Sequence, residues 1–234
     1  VAVGLGAVAA AALAVGTATV AWQATQVAAG RALALHQLAR AESMNDLNQF
    51  LLADAAPHGR PFTAGELLIQ AEQLLQLDTG RSLEIRVDSL TSIGRAYWSQ
   101  DEDDNGRRVL AQAYELSAGL PASAGAVRAK AACAYGAALA AGDDIERGQA
   151  LIREGLALLP DDQAFAFDRV FCELRGSDVA IMAGDGDASL AHVAAARRLV
   201  DANDSASDLL RLTLVMDEAE AYRMAGQLAD ADTV

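Results

Sequence analysis

Residues 1–30 carry no charged side chain; the first charge is Arg31 and the first acid is Glu42. Within that stretch, residues 1–22 are almost unbroken Ala, Val, Leu and Gly. At about 1.5 Å per helical residue this is long enough to cross a hydrocarbon core of about 30 Å. The pattern predicts a transmembrane helix over 1–30, contacting the membrane through 1–22, with Trp22 at the interface. A secretory signal peptide would need a basic region ahead of it, and a buried Ala-rich helix would share the composition. Beyond the span, Leu33, His36, Gln37, Arg40, Met44, Leu47, Phe50 and Leu51 follow helical spacing, which predicts a juxtamembrane helix over 23–56. Pro57 and Pro61 end it. Thr63 and Glu66 form a T-x-x-E capping box before Leu67, Leu68 and Ile69, so a second helix opens near Ala64 and runs to about Leu77. Asp78, Thr79 and Gly80 break it. Pro121 and Pro160 also fall in breaks, and no segment alternates as a strand would. The class is all-α, with a membrane helix at 1–30, connecting helices at 31–81 and a repeat region at 82–234.

The repeat region is defined by spacing. Small residues recur at Gly94, Gly136, Ser177 and Ala219. Three residues on stand Tyr97, Leu139, Ala180 and Tyr222; twelve on, Gly106, Gly148, Ser189 and Ala231. Sixteen on come Leu110, Ile152 and Val193, and nineteen on Ala113, Gly155 and Ala196. A turn glycine is read at Gly142, Gly184 and Gly226, with none in the first unit. Paired helices approach closely only where side chains are short, so this pattern resembles the tetratricopeptide repeat, a helix–turn–helix unit of about 34 residues. The period here is near 42. The resemblance implies an α-solenoid of about four helix pairs with lengthened units. The alternative is a generic Ala-rich bundle with chance spacing. The last unit reads as truncated, because no polar capping element follows it, and the lack of an initial Met suggests a fragment.

Charge and composition narrow the function. The net charge of −14 and pI of 4.5 argue against non-specific binding to nucleic acid or to an anionic membrane surface, both of which need a basic patch. A mean hydropathy of +0.16 in so acidic a chain reflects segregation, since every charge lies after residue 30. Two cysteines exclude a multiply stapled scaffold. Cys133 and Cys172 fall on first helices of adjacent units, where they either meet as a disulfide or serve as small buried hydrophobes.

No catalytic constellation is visible. Gly4, Gly6 and Ala9 match a dinucleotide pattern but lack the preceding strand and the following acid. His36, His58 and His192 are scattered without metal-ligand spacing and read as surface or linker residues. The run Asp101, Glu102, Asp103, Asp104, Asn105, Gly106 offers carboxylates to a cation but lacks the EF-hand order. It reads as a solvated turn with acids favouring the next helix N-terminus, as do Asp185 and Asp187. No cofactor is expected in this segment.

The order of parts carries a second resemblance. An uncharged span, then Phe50, Leu51 and Leu52, then Pro57, then Thr63 with Glu66, Leu67 and Leu68, then long repeats, resembles the C-terminal part of bacterial membrane-anchored serine/threonine protein kinases. The resemblance implies a single-pass inner-membrane protein with the repeats in the periplasm, and a non-catalytic sensor or scaffold role. Kinase motifs are absent, so ATP and Mg would belong to an upstream domain. By the same resemblance the first helix of each pair lines a concave face that binds a protein or peptide. Its outward positions include Asp88, Arg95, Trp98, Lys130 and Asp178, unless Trp98 packs in the interhelix core. A homodimer is a further partner to consider. Other heads fit the same tail, namely a transcription regulator or a cyclase, as does a stand-alone exported adaptor.

Overall fold

The computed structural model describes Thr19, Trp22 and Gln23, and residues 63–77, 80, 82–231 and 233. The chain divides into two compact units, Val1–Ala53 and Asp54–Val234. In the first, Thr19, Trp22 and Gln23 are helical and exposed. The rest of the expected span and of the helix over 23–56, together with His36, His58, Pro57 and Pro61, lies outside the described residues. Among the described residues, no helix is long and apolar enough to cross a membrane.

The second unit is built of helices alone among its described residues: α1 (Ala64–Leu77), α2 (Leu83–Trp98), α3 (Asp103–Ser117), α4 (Gly125–Ala141), α5 (Ile145–Ala157), α6 (Ala166–Met182), α7 (Gly186–Asp201), α8 (Asp208–Met224) and α9 (Leu228–Ala231). Short 3-10 turns precede α4 and α6. The capping box forms as the sequence requires: Thr63 N–H donates to Glu66 Oε2 at 3.0 Å, and Glu66 N–H donates to Thr63 Oγ1 at 3.2 Å. Side-chain oxygens of Ser82, Asp144, Asp185 and Ser207 likewise accept a backbone N–H in the first turn of α2, α5, α7 and α8.

Each helix packs on the next, and first helices also pack on one another, α2 on α4, α4 on α6 and α6 on α8. This is the stacked helix-pair array that the spacing predicts. The small residues sit where the first three pairs cross. A Cβ on Gly94 would lie 3.2 Å from the Gly106 carbonyl oxygen, and one on Gly136 would lie 2.8 Å from that of Gly148. In the third pair Ser177 and Ser189 share a buried hydroxyl hydrogen bond of 2.9 Å. The bulky partners Leu110, Ile152 and Val193 are buried beside these crossings.

The link inside each pair is the same turn four times. Asp101, Asp143, Gly184 and Gly226 have φ of 59°, 71°, 73° and 74°. The following residue's N–H reaches back to the carbonyl of Tyr97, Leu139, Ala180 or Tyr222 at 2.9–3.1 Å, a Schellman closure. The recurring glycine expected at Gly142 is therefore corrected. The left-handed position is Asp143, and Gly142 has φ −98°. Asp tolerates this conformation because its short polar side chain bonds locally, so the first two units need no glycine there.

Cys133 and Cys172 are joined, with an S–S distance of 2.04 Å and no free cysteine among the described residues. The bond ties α4 to α6 inside a core cluster with Ala129, Ala137, Ile152 and Val179, beside Gly155, where a Cβ would fall 2.2 Å from Cys133 Sγ. Reading them as isolated small hydrophobes is thus overturned, although both are fully buried. His192 is also not a surface residue. Its ring lies over Gly176, and Nδ1 pairs with Glu173 Oε2 at 2.7 Å, bridging α6 and α7.

Candidate functional site

A groove of about 500 Å³ opens along the first helices. Arg95 of α2, Lys130 of α4, and Phe167, Phe171, Leu174 and Arg175 of α6 form one side and the floor. Leu209, Leu210 and Thr213 of α8, with Ser205 and Ser207 of the preceding loop, form the other. The repeat register explains the convergence. Asp88, Lys130, Phe171 and Thr213 are equivalent positions in successive units, and so are Arg95, Ala137, Asp178 and Glu220. Ala137 leaves the middle of the second series without a long side chain, so Arg95 can reach over α4 to α6.

The Arg95 guanidinium carbon stands 4.8 Å from the centre of the Phe171 ring, and that of Arg175 stands 5.9 Å away. Both are cation–π distances. Lys130 Nζ pairs with Asp168 Oδ1 at 3.2 Å, linking α4 to α6. Arg175 Nη1 pairs with Asp178 Oδ2 at 2.9 Å, one turn apart on α6. Burial pushes the Asp178 carboxyl up to about 6; Arg175 opposes this, and the nearby Asp217 of α8 adds to it. Burial also raises Asp217, whose Oδ2 is buried without a hydrogen-bond partner. Desolvation, then the charge of Arg175, lower the Arg95 guanidinium below its usual value. A floor of aromatic and aliphatic side chains, rimmed by paired charges, suits a chain segment that offers apolar side chains and hydrogen-bonding backbone.

Of the residues singled out in the sequence, Arg95 and Lys130 line this groove; Asp178 does not, and pairs with Arg175, which does. Asp88 is half-buried on α2, one unit before Lys130. Trp98 turns the other way. It is half-buried against the core around Cys133, Leu110 and Ala138, beside Gly106 and Arg107. Phe167, Phe171, Arg175, Leu209 and Leu210 do not stand out in the sequence, yet the register extended from Asp88 and Lys130 leads directly to Phe171 and Thr213. Among the described residues no group of three or more His, Cys, Asp or Glu side chains is placed to hold a metal ion.

No protein-family profile matches the chain, and no curated protein does. Among solved structures, the chain is similar to the nearly identical TPR-like repeats of a putative kinesin light chain from Podosopora anserina. A form of those repeats carrying one substitution has 18% identity and a TM-score of 0.47, covering 85% of this chain and 88% of that one. The form without the substitution has 18% identity and a TM-score of 0.45 over the same shares.

Proposed function

We propose that the repeats are a non-catalytic protein-interaction region that takes a protein or peptide segment on a concave face formed by α2, α4, α6 and α8. One observation carries the reading: the groove whose floor is Phe167, Phe171 and Leu174 and whose rim is Arg95, Lys130 and Arg175. Partly exposed aromatic and Arg side chains clustered in a recess are the composition of binding hot spots.

In this reading the region is the sensor part of a membrane-anchored bacterial serine/threonine protein kinase, single-pass in the inner membrane, with its repeats in the periplasm. Residues 1–22 supply the anchor, and ATP and Mg act only in an upstream domain. The Cys133–Cys172 bond supports the location, because such bonds persist in oxidising compartments and are rare in the cytosol. The test is selection of displayed peptides on the oxidised chain, followed by binding to Phe171→Ala and Arg95→Glu variants. Loss of about tenfold or more in affinity is expected for a hot-spot truncation. Unchanged binding by both variants contradicts the groove as the site.

A further inference from the structure

Cys133 stands three residues before the crossing position of its unit, and Cys172 five before that of the next. The equivalent pair one unit earlier is Thr91 and Ala131, and one unit later Leu174 and Leu214. All four are at most 5% exposed, and Leu174 and Leu214 share an apolar core cluster. The neighbouring units thus bury these positions without a bond, so filling the interface does not by itself require one. The surroundings of the bond are adapted to it. Nineteen residues past the crossing, the first and third units carry Ala113 and Ala196, but the second carries Gly155. A Cβ there would fall 2.2 Å from Cys133 Sγ and 3.3 Å from Cys172 Sγ.

The bond also lies beneath the groove. Lys130 stands one turn before Cys133 on α4. Phe171 immediately precedes Cys172 on α6 and packs against the cluster that holds both sulfurs. The Lys130–Asp168 pair joins the same two helices one turn further along. In a repeat array each unit touches only its neighbours, so the spacing of α4 and α6 is set locally. A covalent tie at this point fixes Lys130 relative to Phe171 before any segment arrives, which lowers the ordering cost of binding.

We propose that Cys133 and Cys172 are a redox-sensitive positioning pair for the groove: bonded, they hold α4 and α6 in the geometry that receives a segment, and reduced, they let the two helices loosen and the affinity fall. This rests on the groove being the binding site. The reductant is a dithiol. One of its thiolates attacks a sulfur of the bond, giving a mixed disulfide and one protein thiolate, which takes up a proton. Its second thiol then closes a cyclic disulfide and releases the other cysteine, so two electrons pass to the protein. Both sulfurs are fully buried, so exchange requires α4 and α6 to part. A segment lying across Lys130 and Phe171 opposes that parting. By linkage, the factor by which the bond tightens binding is the factor by which binding favours the bond.

The test uses the full chain and a cysteine-free peptide selected on its oxidised form. Peptide affinity is measured for the oxidised chain, the chain reduced with dithiothreitol, and Cys133→Ala/Cys172→Ala, with helical content followed by circular dichroism. Affinity about tenfold weaker for the last two, at unchanged helical content, is expected. A titration with mixtures of reduced and oxidised dithiothreitol supplies the second reading. Saturating peptide should raise the reduced-to-oxidised ratio at the midpoint by about the same factor. Equal affinity in all three forms, or a midpoint indifferent to peptide, overturns the proposal while leaving the groove reading intact, provided Phe171→Ala still weakens binding. Helical content lost on reduction also overturns it, because the bond then holds the fold rather than the groove. Full affinity of Phe171→Ala overturns the groove reading and this proposal with it.

Discussion

Ser177 and Ser189 meet hydroxyl to hydroxyl at 2.9 Å, buried, at the place where the two preceding units set glycine against glycine. The third pair thus exchanges a bare backbone contact for a polar one while keeping the helices close. Ser177→Ala leaves the Ser189 hydroxyl buried without this partner, at a cost of about 1–2 kcal/mol. Replacing both by alanine should cost less than the two single changes summed. A urea double-mutant cycle reads the coupling, and strict additivity would show that the hydroxyls do not interact.

Where the crossing is backbone on backbone there is no such latitude. Gly136→Val would drive its side chain into the Gly148 carbonyl oxygen, which lies only 2.8 Å from the place a Cβ would take. The expected loss is about 1–3 kcal/mol, the usual cost of overpacking, and more if the α4–α5 pair cannot part. A chemical-denaturation midpoint indistinguishable from wild type would show that these helices do not cross at Gly136.

The disulfide joins residues 39 apart in sequence. Closing a loop of that length removes unfolded-chain entropy worth about 4 kcal/mol in the loop-closure account, and measured effects commonly reach about 2–4 kcal/mol. Cys133→Ala with Cys172→Ala should lower stability by that amount without loss of helical content by circular dichroism. Thiol labelling of the unfolded, unreduced chain should find no reactive sulfhydryl. Labelling at two sites would contradict the bond.

The Asp178 carboxyl is held at about 6 by burial, against the pull of Arg175, with Asp217 raised in the same direction and Arg95 close by. In the unfolded chain it returns to about 4. Between those values the folded state binds more protons than the unfolded one. Its contribution to stability is fully present below about pH 4 and is lost as pH rises toward 6. Asp178→Asn should remove that slope, so the stability of wild type relative to this variant falls between pH 4 and 6 and then levels. A difference that stays flat or rises over that window would contradict the burial.

Much of the architecture is legible in the sequence because it depends on local signals. The capping box of Thr63 and Glu66, the bounds of α1, and the crossings at Gly94, Gly136 and Ser177 follow from residue size and period alone. The turn register at Gly142 is off by one residue. A left-handed Asp143 carries no signal as strong as glycine, and the units differ in length by one. The cysteine pairing is not legible, since spacing places two cysteines on neighbouring helices without fixing their faces. The groove is half legible. Arg95 and Lys130 stand out as outward charges, whereas Phe171 reads as core until the register ties it to Lys130. Trp98 goes to the core because Gly106 and Ala138 leave room for its ring beside α3 and α4.

The central claim is that a partner segment lies across Phe171 between Arg95 and Lys130. Hydrogen–deuterium exchange of the chain with and without a selected peptide, together with the affinity of Phe171→Ala for that peptide, tests it most directly. Slowed exchange confined to the end of α2, α4, α6 and the start of α8 is expected, with binding weakened about tenfold or more. Protection elsewhere, with full affinity retained by Phe171→Ala, would contradict it.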